Sequence, residues 1–277
     1  MATKPTVTLD LDNYRAPGSH VHDLFSLKNK TVVITGGARG LGLSFARACA
    51  EVGANIAALD LLPNPHADFA LLSSELGAKA KCYQVDVCDA SALETVFQQV
   101  RADFGTVDCC VTAAGIGMDK PFLDTTPADV AKLLQVNVAG TYLTLQAAAK
   151  IMIAQGTGGS LLTVASVGAH IATPGKSISA YCATKGGVLS MTRAVADELI
   201  PYNIRCNSIS PGYILTDMTI RNIDTRPNVI KEIEANIPSG KLGDRRDLKG
   251  AVVLLLSDAS AYTTGTDLCI DGGLVAH

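Results

Sequence analysis

From Lys30 onward the chain alternates between two hydrophobic periods. Short apolar runs, often β-branched, are followed by longer stretches in which apolar positions recur every three or four residues. Continuous short runs suit strands buried on both faces, and the longer period suits helices with one covered side. The pattern predicts strands at Thr31–Thr35, Asn55–Asp60, Lys81–Asp86, Val107–Ala113, Ser160–Ala165, Ile204–Ser210 and around Leu268–Ile270. Between them it predicts helices at Leu41–Val52, Ala67–Leu76, Ala90–Phe104, Pro127–Ala154 and Leu248–Ser257, and one more that carries Tyr181 and Lys185. Gly53 reads as a helix stop. Strands and helices alternating in this way build a parallel sheet covered on both sides. The expected fold is therefore α/β, a single doubly wound domain of about seven strands over residues 28–277. Residues 1–27 carry two prolines, several charges and no sustained period, so they are expected to form an arm on that domain. The stretch 211–243 is more polar and less periodic, which places a substrate loop there.

Composition narrows the function classes. A chain of 277 residues can bury one large core, and no linker divides it. Charged residues make up 18% and the net charge is −3, so there is no basic field for a phosphate backbone and no nucleic-acid partner is expected. No apolar run reaches the ~18 residues of a bilayer span. The N-terminal stretch, with Asp10, Asp12, Arg15 and His20, lacks the apolar core of a signal peptide. A soluble, cytoplasmic protein without a membrane partner is the expectation. The eight cysteines are scattered without metal-ligand spacing and read as buried free thiols, and no metal site is expected. Cys182, beside Tyr181, is the candidate for a redox-sensitive thiol.

Two motifs carry chemistry. In Ser179-Ala180-Tyr181-Cys182-Ala183-Thr184-Lys185 a phenol and an ammonium stand four residues apart, on one face of a helix. A fixed positive charge near a phenol favours the phenolate and lowers its pKa, which would make Tyr181 a proton donor and acceptor near neutral pH. The second motif is the turn Thr35-Gly36-Gly37-Ala38-Arg39-Gly40-Leu41-Gly42, between the first strand and its helix. Gly36, Gly40 and Gly42 let the backbone turn sharply and approach an anion, and the helix N-terminus supplies the field that holds a pyrophosphate. Asp60, about twenty residues on at the end of the second strand, can accept hydrogen bonds from adenosine ribose hydroxyls and would repel a 2′-phosphate. Arg39 points the other way, since a guanidinium could pair with that phosphate. The balance gives NAD(H) as cofactor, with NADP as the alternative.

With these motifs in order, the chain resembles the short-chain dehydrogenase/reductase family over nearly its whole length from Leu27. The resemblance implies a Rossmann-type sheet. It further implies that Gly36, Arg39, Gly40, Leu41 and Gly42 bind the cofactor and that Asp86 and Val87 contact adenine. Asn137, Ser166, Tyr181 and Lys185 match the family's catalytic tetrad, with Tyr181 and Lys185 also touching the cofactor. Ala114 and Gly115 fall in the family's conserved-type turn after the fourth strand, and Pro211, Gly212, Ile214 and Thr216 fall where the chain lies along the nicotinamide. Asp271-Gly272-Gly273 is similar to the family's C-terminal ending. One landmark departs: where the family has Asn-Asn-Ala-Gly, this chain has Thr112-Ala113-Ala114-Gly115. The Thr112 hydroxyl is expected to replace one of the lost hydrogen bonds.

The implied reaction is hydride transfer between nicotinamide and a small-molecule alcohol or ketone. Tyr181 would move the proton, Ser166 would hold the substrate oxygen, and Lys185 would lower the tyrosine pKa and bind the nicotinamide ribose. Asn137 would anchor a water-mediated proton path from Lys185. The segments Ser166–Pro174 and Ser208–Ile214 resemble fungal polyol dehydrogenase and ketose reductase members, so a sugar alcohol or ketose is the expected substrate. His170, Tyr213 and Met218 are the candidate substrate contacts, with Ile220 beside them. Two alternatives stay open: a reductase for a hydrophobic ketone, and an NAD(H)-binding sensor without turnover. The resemblance also implies a homo-dimer or homo-tetramer paired through the Pro127–Ala154 and Tyr181 helices.

Overall fold

The computed structural model describes residues 20–173, 175–215 and 229–276. Thr216, Met218, Ile220 and Pro174 lie outside the described residues, as does most of the expected arm. Within the remainder the strands are β1 (Thr31–Thr35), β2 (Asn55–Asp60), β3 (Ala80–Gln84), β4 (Cys109–Thr112), β5 (Gly159–Val164), β6 (Ile204–Pro211) and β7 (Asp267–Ile270). They form one sheet in the order β3-β2-β1-β4-β5-β6-β7, parallel throughout. The chain therefore runs outward in one direction from β1 through β2 and β3, then returns to β4 on the other side of β1. The gap between β1 and β4 is where the order reverses, and ligands of open parallel sheets bind beyond the strand ends at such a point.

β1 shows why the strands read as continuous apolar runs. Val32 and Ile34 face one side, against Phe45 and Cys49 of α2 (Gly40–Glu51) and beneath Val252 and Leu255 of a late helix, Lys249–Leu256. Val33 faces the other side with Phe97 and Met152. All three are fully buried, and each such side chain contributes about 1.5–3 kcal/mol by leaving water.

The helices on the second side start and stop where local chemistry dictates. After the short α1 (Val21–Leu24) and the single-turn α3 (Leu71–Ser74) comes α4 (Ala90–Phe104), capped by the Asp89 carboxylate accepting from Ala92 N at 3.0 Å and ended by Gly105 at φ 88°. Next is α5 (Pro127–Leu134), which begins with a reciprocal Thr126–Asp129 capping box and a proline in its first turn. The expected continuous helix to Ala154 is interrupted: residues Gln135–Ala139 form a π turn before α6 (Gly140–Gln155). The expected helix at Ala67–Leu76 is also reduced, to a 3₁₀ turn at Ala67–Ala70 followed by α3.

The Tyr181 helix is α7 (Ser179–Leu199), and α8 (Val229–Glu234) and α9 (Lys249–Leu256) are the remaining α-helices among the described residues. The described part of the arm shows α1 with no buried residue, whereas Leu27 is buried and its N–H donates to Val52 O at 3.0 Å, at the end of α2. The two ends of the 211–243 stretch are tied together, since Gly243 N donates to Tyr213 O at 2.9 Å and Leu215 N to Gly243 O at 2.8 Å.

Candidate active site

The glycine-rich turn lies beyond β1, and its geometry excludes side chains at several points. Gly36 sits at φ +66°, and a Cβ there would come within 3.0 Å of the Ala114 backbone. A Cβ on Gly42 would lie 2.1 Å from Gly36 O. Gly40 has open space around it but a φ of +60°, so it is needed for backbone conformation alone. Gly37, to which the motif spacing assigns nothing, is packed against β2: a Cβ would meet Ala58 Cβ at 2.8 Å. Leu41 is half-buried, Arg39 is exposed, and α2 starts at Arg39 with no side-chain cap on its first amides. Uncapped N-terminal amides beside a turn stripped of side chains form a cradle for an anion. The pyrophosphate of a dinucleotide fits that cradle.

Asp60 is buried at the end of β2 and is already engaged. Its Oδ2 accepts from Ala38 N at 3.0 Å and its Oδ1 from Leu62 N at 3.0 Å. The carboxylate thus braces the glycine turn from below. A carboxylate offers about four lone-pair sites, so two backbone N–H groups leave capacity for ribose hydroxyls. Asp86 is exposed and accepts from Cys88 N at 2.9 Å, while Val87 is buried against Gly140 at the start of α6.

After β4 the chain passes Ala114, whose N–H donates to Thr35 Oγ1 at 3.2 Å, and Gly115. The expected substitute donor is not the one used: Thr112 Oγ1 is buried with no hydrogen-bond partner among the described residues. Thr112 is buried in β4, and the loop is fastened by Thr35 on the neighbouring strand instead. The other fastening comes from Asn137 in the π turn. Its Oδ1 accepts from Ile116 N at 2.9 Å, and its Nδ2 donates to Ile116 O at 2.9 Å and Thr184 Oγ1 at 3.1 Å. Thr184 in turn donates to Tyr181 O at 2.7 Å. One buried amide therefore ties the loop after β4 to the helix that carries Tyr181 and Lys185.

Ser166 follows β5, its hydroxyl accepts from Gly168 N at 3.1 Å, and it lies near enough to the Tyr181 phenol to lower its pKa. Lys185 is buried and donates to Val164 O at 2.7 Å, and its ammonium lies 5.7 Å from the Tyr181 ring centre. A Cβ on Gly115 would sit 3.3 Å from Asn137 Oδ1 and 3.8 Å from Lys185 Nζ. Glycine at that point leaves open the space between the two polar groups. The structure thus brings Asn137, Ser166, Tyr181 and Lys185 together at the carboxyl edge of the sheet, beside the β1–β4 reversal.

The electrostatics differ from the expectation. Burial raises the Tyr181 pKa above the usual tyrosine value, the nearby Ser166 hydroxyl pulls it partly back, and Lys185 is not among the causes. Burial also pushes Lys185 down to about 8. A lysine that is itself desolvated and committed to a backbone carbonyl does not override the desolvation of the phenol. Cys182 is likewise raised by burial, which favours an inert thiol over the redox-sensitive one; all eight cysteines are free.

The substrate candidates separate. Tyr213 packs with Ile233, Ile237 and Leu242 in a small apolar cluster, and burial followed by Asp119 raises its pKa to about 12. His170 is turned toward the sheet edge, with Nε2 2.8 Å from Asp267 Oδ2 and 3.2 Å from Ser210 Oγ. It neither stands free for a hydroxyl nor simply fills a wall. Pro211 pairs with Ile270, Gly212 N donates to Ile270 O at 2.9 Å, and a Cβ on Gly212 would lie 2.7 Å from Asp271 Cα. Ile214 bridges to Gly243. Thr184 and the carbonyl of Val164 join the site without any mark in the spacing; only the position of Thr184 beside Lys185 could have drawn notice.

The family model described as Enoyl-(Acyl carrier protein) reductase matches residues 36–275. The NADP-dependent mannitol dehydrogenase of Hypocrea jecorina is 39% identical over 256 residues, covering 91% of this chain and 94% of that one. The sorbose reductase of Schizosaccharomyces pombe is 38% identical over 253 residues, covering 90% and 97%. Among solved structures, a short-chain type dehydrogenase/reductase from Mycobacterium marinum superposes with a TM-score of 0.85 at 36% identity, covering 92% of this chain and 99% of that one.

Proposed function

Since the chain belongs to the short-chain dehydrogenase/reductase family and is an NAD(P)-dependent alcohol dehydrogenase, we propose that it interconverts a sugar alcohol and the corresponding ketose. The observation that carries the chemistry is the Tyr181 phenol, within reach of Ser166 and on the helix that sets the Lys185 ammonium 5.7 Å from its ring centre. The polyol assignment is supported by two relatives of high coverage, one named for mannitol and one for sorbose.

When bound, the nicotinamide supplies or accepts the hydride. In oxidation Tyr181 takes the hydroxyl proton; in reduction it gives that proton to the developing alkoxide. Ser166 holds the substrate oxygen where charge develops. Lys185, fixed by Val164 O, would hydrogen-bond the nicotinamide ribose and pass protons along a water-mediated path that Asn137 would anchor. Gly36, Gly40, Leu41 and Gly42 would hold the pyrophosphate, and Ala114, Gly115, Asp86 and Val87 the adenosine. Pro211, Gly212 and Ile214 would hold the nicotinamide, with Thr216 as a further candidate outside the described residues. Tyr213 lines the substrate side, with Met218 as the remaining candidate.

NAD(H) is the proposed coenzyme because the Asp60 carboxylate stands at the ribose end of the turn with acceptor capacity to spare. The exposed Arg39 and the NADP-dependent relative favour the second reading. For the substrate, the apolar cluster around Tyr213 favours a hydrophobic ketone as second reading. Nicotinamide absorbance during incubation with five- and six-carbon sugar alcohols, with NAD and NADP in parallel, separates all of these. Reduction of NAD by a polyol is expected. Silence with every polyol and ketose, together with turnover of hydrophobic ketones, would replace the polyol assignment, and a preference for NADP would overturn the role given to Asp60.

We also infer self-association. Leu134 and Tyr142 are exposed, at 43% and 50%, beside the π turn, and they line a shallow groove of about 430 Å³ with Val138 and Met191. Apolar groups of this size left in water on adjoining helices suit a second copy of the chain.

A further inference from the structure

A second cluster of reactive side chains lies on the edge of the sheet, between the loop that carries Ser166 and the outermost strand. Ser208 pairs with Asp267 and Ser210 with Cys269 in the β6–β7 register. Strand alternation therefore puts these four side chains on one face. Above them lies His170, four residues past Ser166 in the loop after β5. Its Nε2 is 2.8 Å from Asp267 Oδ2 and 3.7 Å from Cys269 Sγ, and the thiol is 3.6 Å from the same carboxylate oxygen.

We propose that His170, Asp267 and Cys269 form a binding site for one zinc ion, closed on its fourth side by Ser210 or water. Imidazole, thiolate and carboxylate are the ligand types that zinc takes, in tetrahedral arrangement. Bonds of about 2.0–2.3 Å at tetrahedral angles set donor atoms ~3.3–3.6 Å apart. Two edges of the triangle, at 3.6 and 3.7 Å, lie at or just above the top of that range. The third, at 2.8 Å, must open by about half an ångström, which exchanges a hydrogen bond for two metal bonds. Two negative ligands and a neutral imidazole balance the ion's charge. On binding, the thiol proton goes to solvent and the imidazole proton sits on Nδ1, leaving Nε2 its lone pair.

The surroundings match what metal ligands require. Asp267 Oδ1 accepts from Ser208 Oγ at 2.5 Å, so the carboxylate is held with Oδ2 toward the cluster. The Asp267 side chain is 6% exposed and that of His170 is 23%, so the carboxylate is shielded while the imidazole can be reached from solvent. The ligands come from positions 97 and 99 residues apart in the chain, so no local spacing announces the site. An ion there would tie the loop that follows Ser166 to the outermost strand.

The test uses the full chain, stripped with chelator, titrated with Zn²⁺ against a chromophoric chelator and separately with Co²⁺. Expected are one Zn²⁺ per chain, a thiolate-to-cobalt charge-transfer band, and a rise in melting temperature with Zn²⁺. Cys269→Ser and His170→Gln should each abolish the band or weaken Zn²⁺ binding by at least about a hundredfold, since even outer partners of metal ligands are worth ~10–100-fold. No uptake by the unaltered chain would overturn the proposal. So would uptake and a band unchanged in both variants, which would place the metal on other cysteines.

Discussion

Burial moves Tyr181 and Lys185 toward their neutral forms from opposite sides, the phenol above its ordinary pKa and the ammonium down to about 8. For Lys185 the sign is clear: between its folded value of about 8 and its ordinary 10.5, the unfolded chain holds a proton that the folded chain has lost. Stability therefore rises with pH through that window and is lost as pH falls. In the cofactor-free protein, the melting temperature relative to Lys185→Met should climb in favour of the unaltered chain from about pH 8 toward 10.5. A flat difference would contradict the burial of the charge. Asn137→Ala removes the partners of Ile116 N and O together, and a buried group left unsatisfied costs about 1–3 kcal/mol. Its melting temperature should drop by several degrees, measured calorimetrically. The identities of these residues were legible from four-residue spacing and motif order. Their partners were not, because Val164 O, Ile116 and Thr184 are distant in sequence and contribute backbone or a hydroxyl that no pattern marks.

Strands and most helices were legible because a sheet covered on both faces leaves few polar positions within its strands. β1 and β2, and α4 on the other side, agree with the expected bounds. The π turn at Gln135–Ala139 was not, since inserting one residue in a helix hardly changes its hydrophobic period. Its consequence is large, for it turns Asn137 inward to the loop after β4. The glycine turn was legible as a motif, but its brace was not, since no spacing marks that the Asp60 carboxylate accepts from Ala38 N and Leu62 N. In Asp60→Asn one of those N–H groups must face an amide NH₂. NAD(H) affinity by fluorescence titration should then fall by about 5- to 150-fold, the equivalent of ~1–3 kcal/mol. Unchanged affinity would remove the brace from the account. Gly42→Ala, whose Cβ would lie 2.1 Å from Gly36 O, should abolish cofactor binding while the sheet's circular dichroism is retained.

At the scale of the whole molecule, the strand order explains why residues so far apart in sequence share one site. β1 and β4, with β5 and β6 beyond, end at the same edge, so Gly36, Gly115, Ser166 and Gly212 follow four neighbouring strands. The order itself follows from βαβ handedness and the single return past β1. The same helices that carry Asn137 and Tyr181 present the exposed groove at Leu134 and Tyr142. On the proposed self-association, Tyr142→Glu should lower the mass seen in light scattering to that of a monomer; a monomeric unaltered chain would overturn that proposal, and an unchanged oligomer in the variant would place the interface elsewhere. The most direct test of proton transfer by Tyr181 compares the unaltered enzyme with Tyr181→Phe, following nicotinamide absorbance with the best substrate found and measuring cofactor affinity on both. The variant is predicted to bind cofactor as before and to turn over ~10²–10⁴-fold more slowly. Turnover near that of the unaltered enzyme would contradict the assignment.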